Sequence, residues 1–127
     1  HAEAEMTLDE VSIREYDAVI FVGGGGSKLL INNPLAHMIA RDMYQNGKVV
    51  AAICLAPVIL ANAGLLKNKK ATVAGTEART IENSGAIYMG PGVTVDGNIV
   101  TANAPKASRL FGKTIVEILG TQLSSTQ

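Results

Sequence analysis

Short apolar runs without polar alternation predict the strands of this chain. The first run, Asp17 to Val22, leads directly into four glycines at 23–26. The second run, "KVVAAI" at 48–53, ends at the single cysteine, Cys54. Unbroken apolar character is typical of parallel strands that are covered on both faces. Together with "KATVA" at 70–74, these runs predict a parallel core of three strands.

Apolar residues at helical spacing predict helices between the strands. In the first helix, Asn33 is the predicted N-cap, Pro34 the first helical residue and Gly47 the stop. A shorter helix is predicted from Pro57 to Gly64. The predicted buried stripe of the first helix is Leu35, Met38, Ile39 and Met43.

A polar helix and a hairpin follow in the second half of the chain. The helix is predicted to begin at Thr76, as cap, and to stop at Gly85. Strand-like residues flank Asp96-Gly97, a dipeptide that favours a two-residue hairpin turn.

The last predicted helix covers 106–119, and the polar residues 120–127 are predicted to fray. Its predicted buried residues are Leu110, Phe111, Ile115, Ile118 and Leu119. Strands that alternate with helices indicate an α/β fold, a three-layer sandwich with a mostly parallel sheet. At 127 residues, the chain is predicted to form a single domain, 1–127.

Composition narrows the classes of function. Eleven basic side chains balance eleven acidic ones, so no electrostatic footprint for nucleic acid or a membrane surface is present. The apolar runs are shorter than the roughly 20 residues that span a bilayer. One cysteine cannot form an internal disulfide, and no Cys/His spacing predicts a zinc site. We therefore expect no cofactor or metal, and a cytoplasmic location.

Cys54 is the candidate for chemistry. A sharp turn from strand to helix lifts the turn residue towards solvent, and the helix N-terminus behind it favours a thiolate. We therefore expect unusual backbone dihedrals at Cys54, a pKa below that of a free thiol, and a small cleft beside Gly24. The alternative is a buried structural cysteine, which is a common fate of this small apolar side chain.

Four stretches resemble signatures of the DJ-1/PfpI (ThiJ) superfamily, in that family's order. They are "YDAVIFVGG", "KVVAAICLAP", "ANAGLLKNKKAT" and "VTVDGNIVTA", and the resemblance covers nearly all of residues 7–120. It implies a flavodoxin-like fold of the class I glutamine amidotransferase type. It also implies that the chain lacks an N-terminal strand-helix-strand unit, which supplies a glutamate to the cysteine. We expect a truncated chain, and the alternatives are that the missing strands are supplied elsewhere or that this member lacks them. Glu3, Glu5 and Glu10 lie in a polar lead-in and are not assumed to substitute for that glutamate.

The resemblance also implies the site. Cys54 corresponds to the reactive cysteine, and backbone N–H groups of Gly24 and Leu55 correspond to the oxyanion donors. Gly23 and Pro57 are expected to line the pocket.

No histidine partner for Cys54 is visible in the sequence. Leu55 stands where protease-like members carry histidine, and none occurs at 86–88. The two histidines are His1, at the terminus, and His37, which lies off the apolar stripe of its helix. A Cys–His dyad is therefore not predicted.

Three functions follow from the resemblance. The leading one is a glyoxalase- or deglycase-type enzyme that acts on small reactive carbonyls through the Cys54 thiolate. The alternative is a redox-responsive or chaperone-like stress protein without turnover, and a cysteine peptidase or amidase is less favoured because a base is missing. The family also implies a homo-oligomer, most simply a dimer.

Overall fold

The structure is a computed structural model that describes residues 18–22 and 32–125. Strands and helices alternate along these residues, as the apolar pattern predicts. In chain order the elements are β1 (Ala18–Val22), α1 (Pro34–Gln45), β2 (Val49–Ile53), α2 (Pro57–Asn62), β3 (Lys70–Ala71), a 3-10 turn (Gly75–Glu77), α3 (Ala78–Asn83), β4 (Ile87–Tyr88), β5 (Val93–Asp96), β6 (Ile99–Ala102), a second 3-10 turn (Pro105–Ala107) and α4 (Ser108–Ser125).

Strand β2 lies inside the main sheet, whose order is β1-β2-β6-β5. It pairs in parallel with β1 on one side and with β6 on the other. Strand β5 pairs antiparallel with β6 and forms the outer strand. All five residues of β2 are buried, which the unbroken apolar run predicts for a strand covered on both faces.

The prediction that 70–74 forms the third strand of this core is wrong. Strand β3 has two residues and pairs in parallel with β4 in a separate two-stranded sheet. The place beside β2 belongs to β6, whose four residues are all buried. Immediately after β3, the Thr72 N–H donates to the Thr101 Oγ1 on β6, so a side chain replaces the backbone ladder there.

The sheet separates the core into two layers. On one face, β2 contributes Val50 and Ala52 to a cluster that includes residues of α1, α2 and α3. On the other face, Val49, Ala51 and Ile53 of β2 join residues of α4. Helices therefore cover both faces of a mostly parallel sheet, and the predicted three-layer α/β sandwich is confirmed.

The ends of α1 are as predicted, but its buried face differs. The Asn33 side chain accepts hydrogen bonds from the N–H groups of Leu35 and Ala36, as an N-cap does. Met38 is 46% exposed, so its predicted burial is wrong. Ala36 and Ala40 lie fully buried, because small side chains let the helix pack closely on the sheet.

The predicted cap of the polar helix is also wrong. A 3-10 turn, Gly75–Glu77, comes first, and α3 then begins at Ala78 without a side-chain cap. Thr76 lies inside that turn. Gly85 follows the helix with a φ of +94°, which agrees with its predicted role as stop.

The hairpin is confirmed, with its turn shifted by one residue. Asp96 pairs with Ile99, so the turn residues are Gly97 and Asn98 rather than Asp96 and Gly97. Gly97 has a φ of +62°, as the first turn residue of a type II′ hairpin requires. The Asp96 side chain instead accepts a hydrogen bond from the Lys70 N–H, which gives it a role in β3.

Helix α4 packs one side on the second core layer. Phe111 and Ile115 are buried, and Ile118 and Leu119 are partly buried against the same layer. Leu110 is 54% exposed, so its predicted burial is wrong. The helix continues to Ser125, so the prediction of a frayed end from 120 is wrong over 120–125. None of the helices in the described residues is long and apolar enough to span a membrane.

Candidate functional site at the Cys54 turn

Cys54 occupies a strained position in a tight turn after β2. The Ala56 N–H donates to the Ile53 carbonyl at 3.2 Å, which closes a β-turn with Cys54 and Leu55 at its centre. Cys54 has a φ of +66°, in the left-handed region that ordinarily favours glycine. The prediction of unusual dihedrals at this residue is confirmed. Such strain in a non-glycine residue concentrates at functional sites.

Two backbone hydrogen bonds hold Cys54 from opposite sides. Its N–H donates to the Ala102 carbonyl at the end of β6, at 3.0 Å. Its carbonyl accepts from the Ala74 N–H at 2.8 Å. We call these two bonds the clamp. Because the N–H and the carbonyl of Cys54 are both hydrogen-bonded to other segments, the residue keeps a positive φ that it would not adopt in an unrestrained chain.

Small side chains surround the turn on the inner side. Ala51, Ala52 and Ala56 are fully buried, which lets the chain reverse within a few ångströms of the sheet. Pro57 is buried as the first residue of α2, where its missing N–H is not needed. Cys54 itself is half-buried and packs against the layer that contains Val100 and Phe111 on β6 and α4.

The expected lowering of the thiol pKa is not found. Burial raises the pKa of the Cys54 thiol, because the apolar surroundings disfavour the charged thiolate. Helix α2 has six residues and starts three residues after Cys54, so its dipole is a short one. The thiol is therefore packed against apolar side chains, and no charged group in the described part of the chain lowers its pKa.

Of the predicted oxyanion donors, the structure describes Leu55. Its side chain is half-buried, and its N–H has no hydrogen-bond partner among residues 18–22 and 32–125. The predicted Gly23 and Gly24 lie outside the described residues. Ala74 and Ala102, which clamp Cys54, were not identified from the sequence, because backbone contacts of alanines leave no pattern in it.

Among the described residues, His37 is the one histidine. His37 lies half-buried on the first turn of α1, and its N–H donates to the Asn33 carbonyl. His1 is outside the described residues. Within the described segments, no group of three His, Cys, Asp or Glu side chains is arranged to hold a metal ion.

Comparison with known proteins places this turn in a family context. The model of the DJ-1/PfpI family matches residues 1–118. This chain belongs to the DJ-1/PfpI family. The match confirms the family that the four sequence stretches resemble.

Relatives and solved structures of the DJ-1/PfpI family agree with this assignment. MJ0967, an uncharacterized protein of Methanocaldococcus jannaschii, is 45% identical over 118 residues, which are 91% of this chain and 58% of that protein. Deglycase TK1284 of Thermococcus kodakarensis is 35% identical over 115 residues, 91% of this chain and 69% of the deglycase. The crystal structure of a ThiJ/PfpI domain protein from Brachyspira murdochii has a TM-score of 0.87 at 36% identity, covering 90% of this chain and 66% of that one.

These DJ-1/PfpI relatives are longer than the present sequence. The chain spans 58% of the length of MJ0967. The similarity fixes the family and the α/β fold of the described residues.

Proposed function

We propose that this protein is a cysteine-dependent enzyme of the deglycase or glyoxalase type, which acts on small reactive carbonyls through Cys54. The observation that carries the proposal is the φ of +66° at Cys54, held by the clamp at the end of β2. The relative named deglycase TK1284 supports this class of activity. A merely structural cysteine has no need of a backbone conformation that favours glycine.

The proposed reaction begins with addition of sulfur to an aldehyde carbon. The Cys54 thiolate forms the S–C bond, and the carbonyl π electrons move to oxygen, which takes a proton to give a hemithioacetal. In this proposal the Leu55 N–H, which directly follows Cys54 in the chain, stabilises the developing oxyanion, with Gly24 as the proposed second donor. For a 2-oxoaldehyde, a carboxylate base, which the described residues do not identify, moves the proton of the sulfur-bearing carbon through an enediol to the neighbouring carbon, and the hydroxyl proton passes to the oxygen of that neighbour. The resulting thioester is hydrolysed by water to a 2-hydroxy acid and the free thiol.

Carbonyl chemistry suits this site better than amide cleavage. An amide requires a base that also protonates the leaving amine, and the described residues show no histidine paired with Cys54. A 2-oxoaldehyde is strongly electrophilic and has no leaving amine.

The test is the rate of methylglyoxal loss in the presence of the purified protein. Cys54→Ser should lower this rate at least tenfold, because a hydroxyl of similar size is a far weaker nucleophile at neutral pH. Val116→Ser is the matched control, since it introduces the same side chain at a 67% exposed position on α4. If Cys54→Ser keeps the wild-type rate, the proposed function is wrong.

We further propose a homo-oligomer, most simply a dimer, and a cytoplasmic location. The family resemblance supports association, and Ile20 and Val22 on β1 expose apolar surface that a second copy can cover. A single cysteine suits a reducing compartment. Light scattering across a concentration series tests association, and a monomer at the highest concentration would contradict it.

A further inference from the structure

Two threonines stand apart in the core because they are polar and completely buried. Thr72 follows β3 and Thr101 lies on β6, and both are 0% exposed. The Thr72 N–H donates to the Thr101 Oγ1 at 2.9 Å. The Thr72 hydroxyl donates to the Gly90 carbonyl. Buried polar groups persist in a core only when they are paired in this way.

The threonine pair lies next to the clamp on Cys54. Thr101 precedes Ala102, whose carbonyl accepts from the Cys54 N–H. Thr72 lies two residues before Ala74, whose N–H donates to the Cys54 carbonyl. The hydrogen bond between Thr72 and Thr101 therefore closes a ring that runs from Cys54 through both arms of the clamp.

We propose that Thr72 and Thr101 are positioning residues, whose hydrogen bond fixes the distance between the two clamp arms and thereby holds Cys54 in its strained turn. The proposal rests on the function assigned above to Cys54. Strand β3 ends at Ala71, so the Thr72 N–H lies beyond the ladder to β4 and donates its hydrogen bond to the Thr101 side chain. Neither threonine is proposed to touch the substrate. Both position Cys54 through the backbone of the two clamp segments.

Loss of the Thr101 hydroxyl has a defined consequence. The Thr72 N–H would be left buried without an acceptor, which a protein avoids by moving the segment towards another partner. Such a shift draws Ala74 away from the Cys54 carbonyl. The turn then relaxes from the left-handed region, and the thiol leaves its half-buried place.

The test compares Thr101→Val with Thr101→Ser, since valine keeps the shape but loses the hydroxyl and serine keeps the hydroxyl. Cys54 is the single cysteine, so iodoacetamide reports its accessibility alone. In Thr101→Val we expect alkylation at least threefold faster and methylglyoxal turnover at least tenfold slower. Thr101→Ser should keep both rates within twofold of wild type.

A matched core variant distinguishes loss of the positioning of Cys54 from a general loss of core packing. Ile81→Val removes one methylene from a fully buried residue on α3, away from the clamp, and should leave both rates within twofold. Unchanged alkylation in Thr101→Val, or equal effects of valine and serine, would overturn the proposal. Equal acceleration by Ile81→Val would also overturn it.

The alkylation measurement is independent of the proposed function. If the wild-type protein does not consume methylglyoxal, the proposed activity fails, while faster alkylation in the valine variant alone still supports the positioning role. If Thr101→Val does not fold, Thr101→Ala, which also lacks the hydroxyl that accepts from the Thr72 N–H, is compared with Thr101→Ser. Equal alkylation rates in that second pair would overturn the proposal.

Discussion

At the scale of single residues, Cys54 is unusual because it carries a Cβ atom but has a positive φ, a backbone conformation that ordinarily favours glycine. Its φ of +66° costs a residue with a Cβ atom about 1–2 kcal/mol relative to ordinary backbone. Asn68, with a φ of +63°, is the other described non-glycine residue in this region, and asparagine tolerates it better. The conformation at Cys54 is therefore maintained by the clamp and by packing, against the preference of the residue itself.

Replacement of Cys54 by glycine should give a more stable protein than replacement by alanine. Glycine adopts a positive φ without a steric clash, although its freer unfolded chain offsets part of the gain, so we expect a difference of about 0.5–1 kcal/mol. Urea unfolding of Cys54→Gly and Cys54→Ala measures it. Ala40→Gly in α1 is the control, since glycine there should cost about 1 kcal/mol. A Cys54→Gly protein less stable than Cys54→Ala would contradict this explanation.

The pH dependence of Cys54 alkylation follows from its environment. Burial raises the thiol pKa, so the alkylation rate of the native protein should reach its midpoint above the value of about 8.5 for a free cysteine. The same protein unfolded in urea provides the reference midpoint. A native midpoint below the unfolded one would contradict the prediction.

The same shift makes folding stability depend on pH. The folded state holds the thiol proton more tightly than the unfolded state does, so this contribution is fully present below the unfolded pKa. It is lost as pH rises through the folded pKa. Cys54→Ala lacks the effect, so its stability should fall less steeply than that of wild type as pH rises above about 8.5.

At the scale of elements, local chemistry fixed what could be predicted. The ends of α1 follow from Asn33, Pro34 and Gly47, because caps and stops act within one turn of the helix. The apolar runs before Gly23 and before Cys54 likewise predicted strands β1 and β2. The buried faces of the helices were harder to predict. Met38 and Leu110 have apolar side chains that could face the core or the solvent, and the packing of neighbouring elements determines which.

Replacement of Asn33 tests how much of α1 depends on its cap. The side chain accepts two hydrogen bonds, at 2.8 Å from Leu35 N and 3.1 Å from Ala36 N. Asn33→Ala should therefore lower the free energy of unfolding by about 1 kcal/mol. Asn33→Ser retains a side-chain acceptor, so its free energy of unfolding should fall by at most a few tenths of a kcal/mol. Equal losses in the two variants would show that the cap hydrogen bonds do not stabilise the helix.

The position of β6 could not be predicted from local patterns. Residues 70–74 and Ile99–Ala102 are both short and apolar, and either could lie beside β2. The long-range pairing of Val50 with Ile99 decides between them, and no feature within a strand encodes that choice. For the same reason the sequence pattern identified Cys54, and the family resemblance added Leu55, but neither pointed to Ala74, Thr72 or Thr101.

At the scale of the whole molecule, the sheet divides the core into two layers that share no side chains. Val50 and Ile99 face the layer under α1, α2 and α3, whereas Val49 and Val100 face the layer under α4. The backbone of β2 and β6 is therefore the connection between the two layers. Small changes on one face should leave packing on the other face intact.

A pair of substitutions on opposite faces tests this independence. Ile81→Val, in the layer with α3, and Ile115→Val, in the layer with α4, should each cost about 0.5–1.5 kcal/mol. The double variant should equal the sum within about 0.3–0.5 kcal/mol, because the two sites share no neighbours. Denaturant unfolding of the four proteins gives the coupling energy. A coupling above about 1 kcal/mol would show that the sheet transmits strain between the layers.

The hydrogen bond from Cys54 to Ala102 also has a consequence for the time order of folding. A ribosome adds about 5–20 residues per second, so Cys54 is synthesised several seconds before its partner exists. During that interval the arm of the clamp from β6 is missing, so the thiol is more open to electrophiles than in the finished fold. Brief pulses of a thiol reagent during refolding should therefore record when strand β6 pairs beside β2 and completes the clamp.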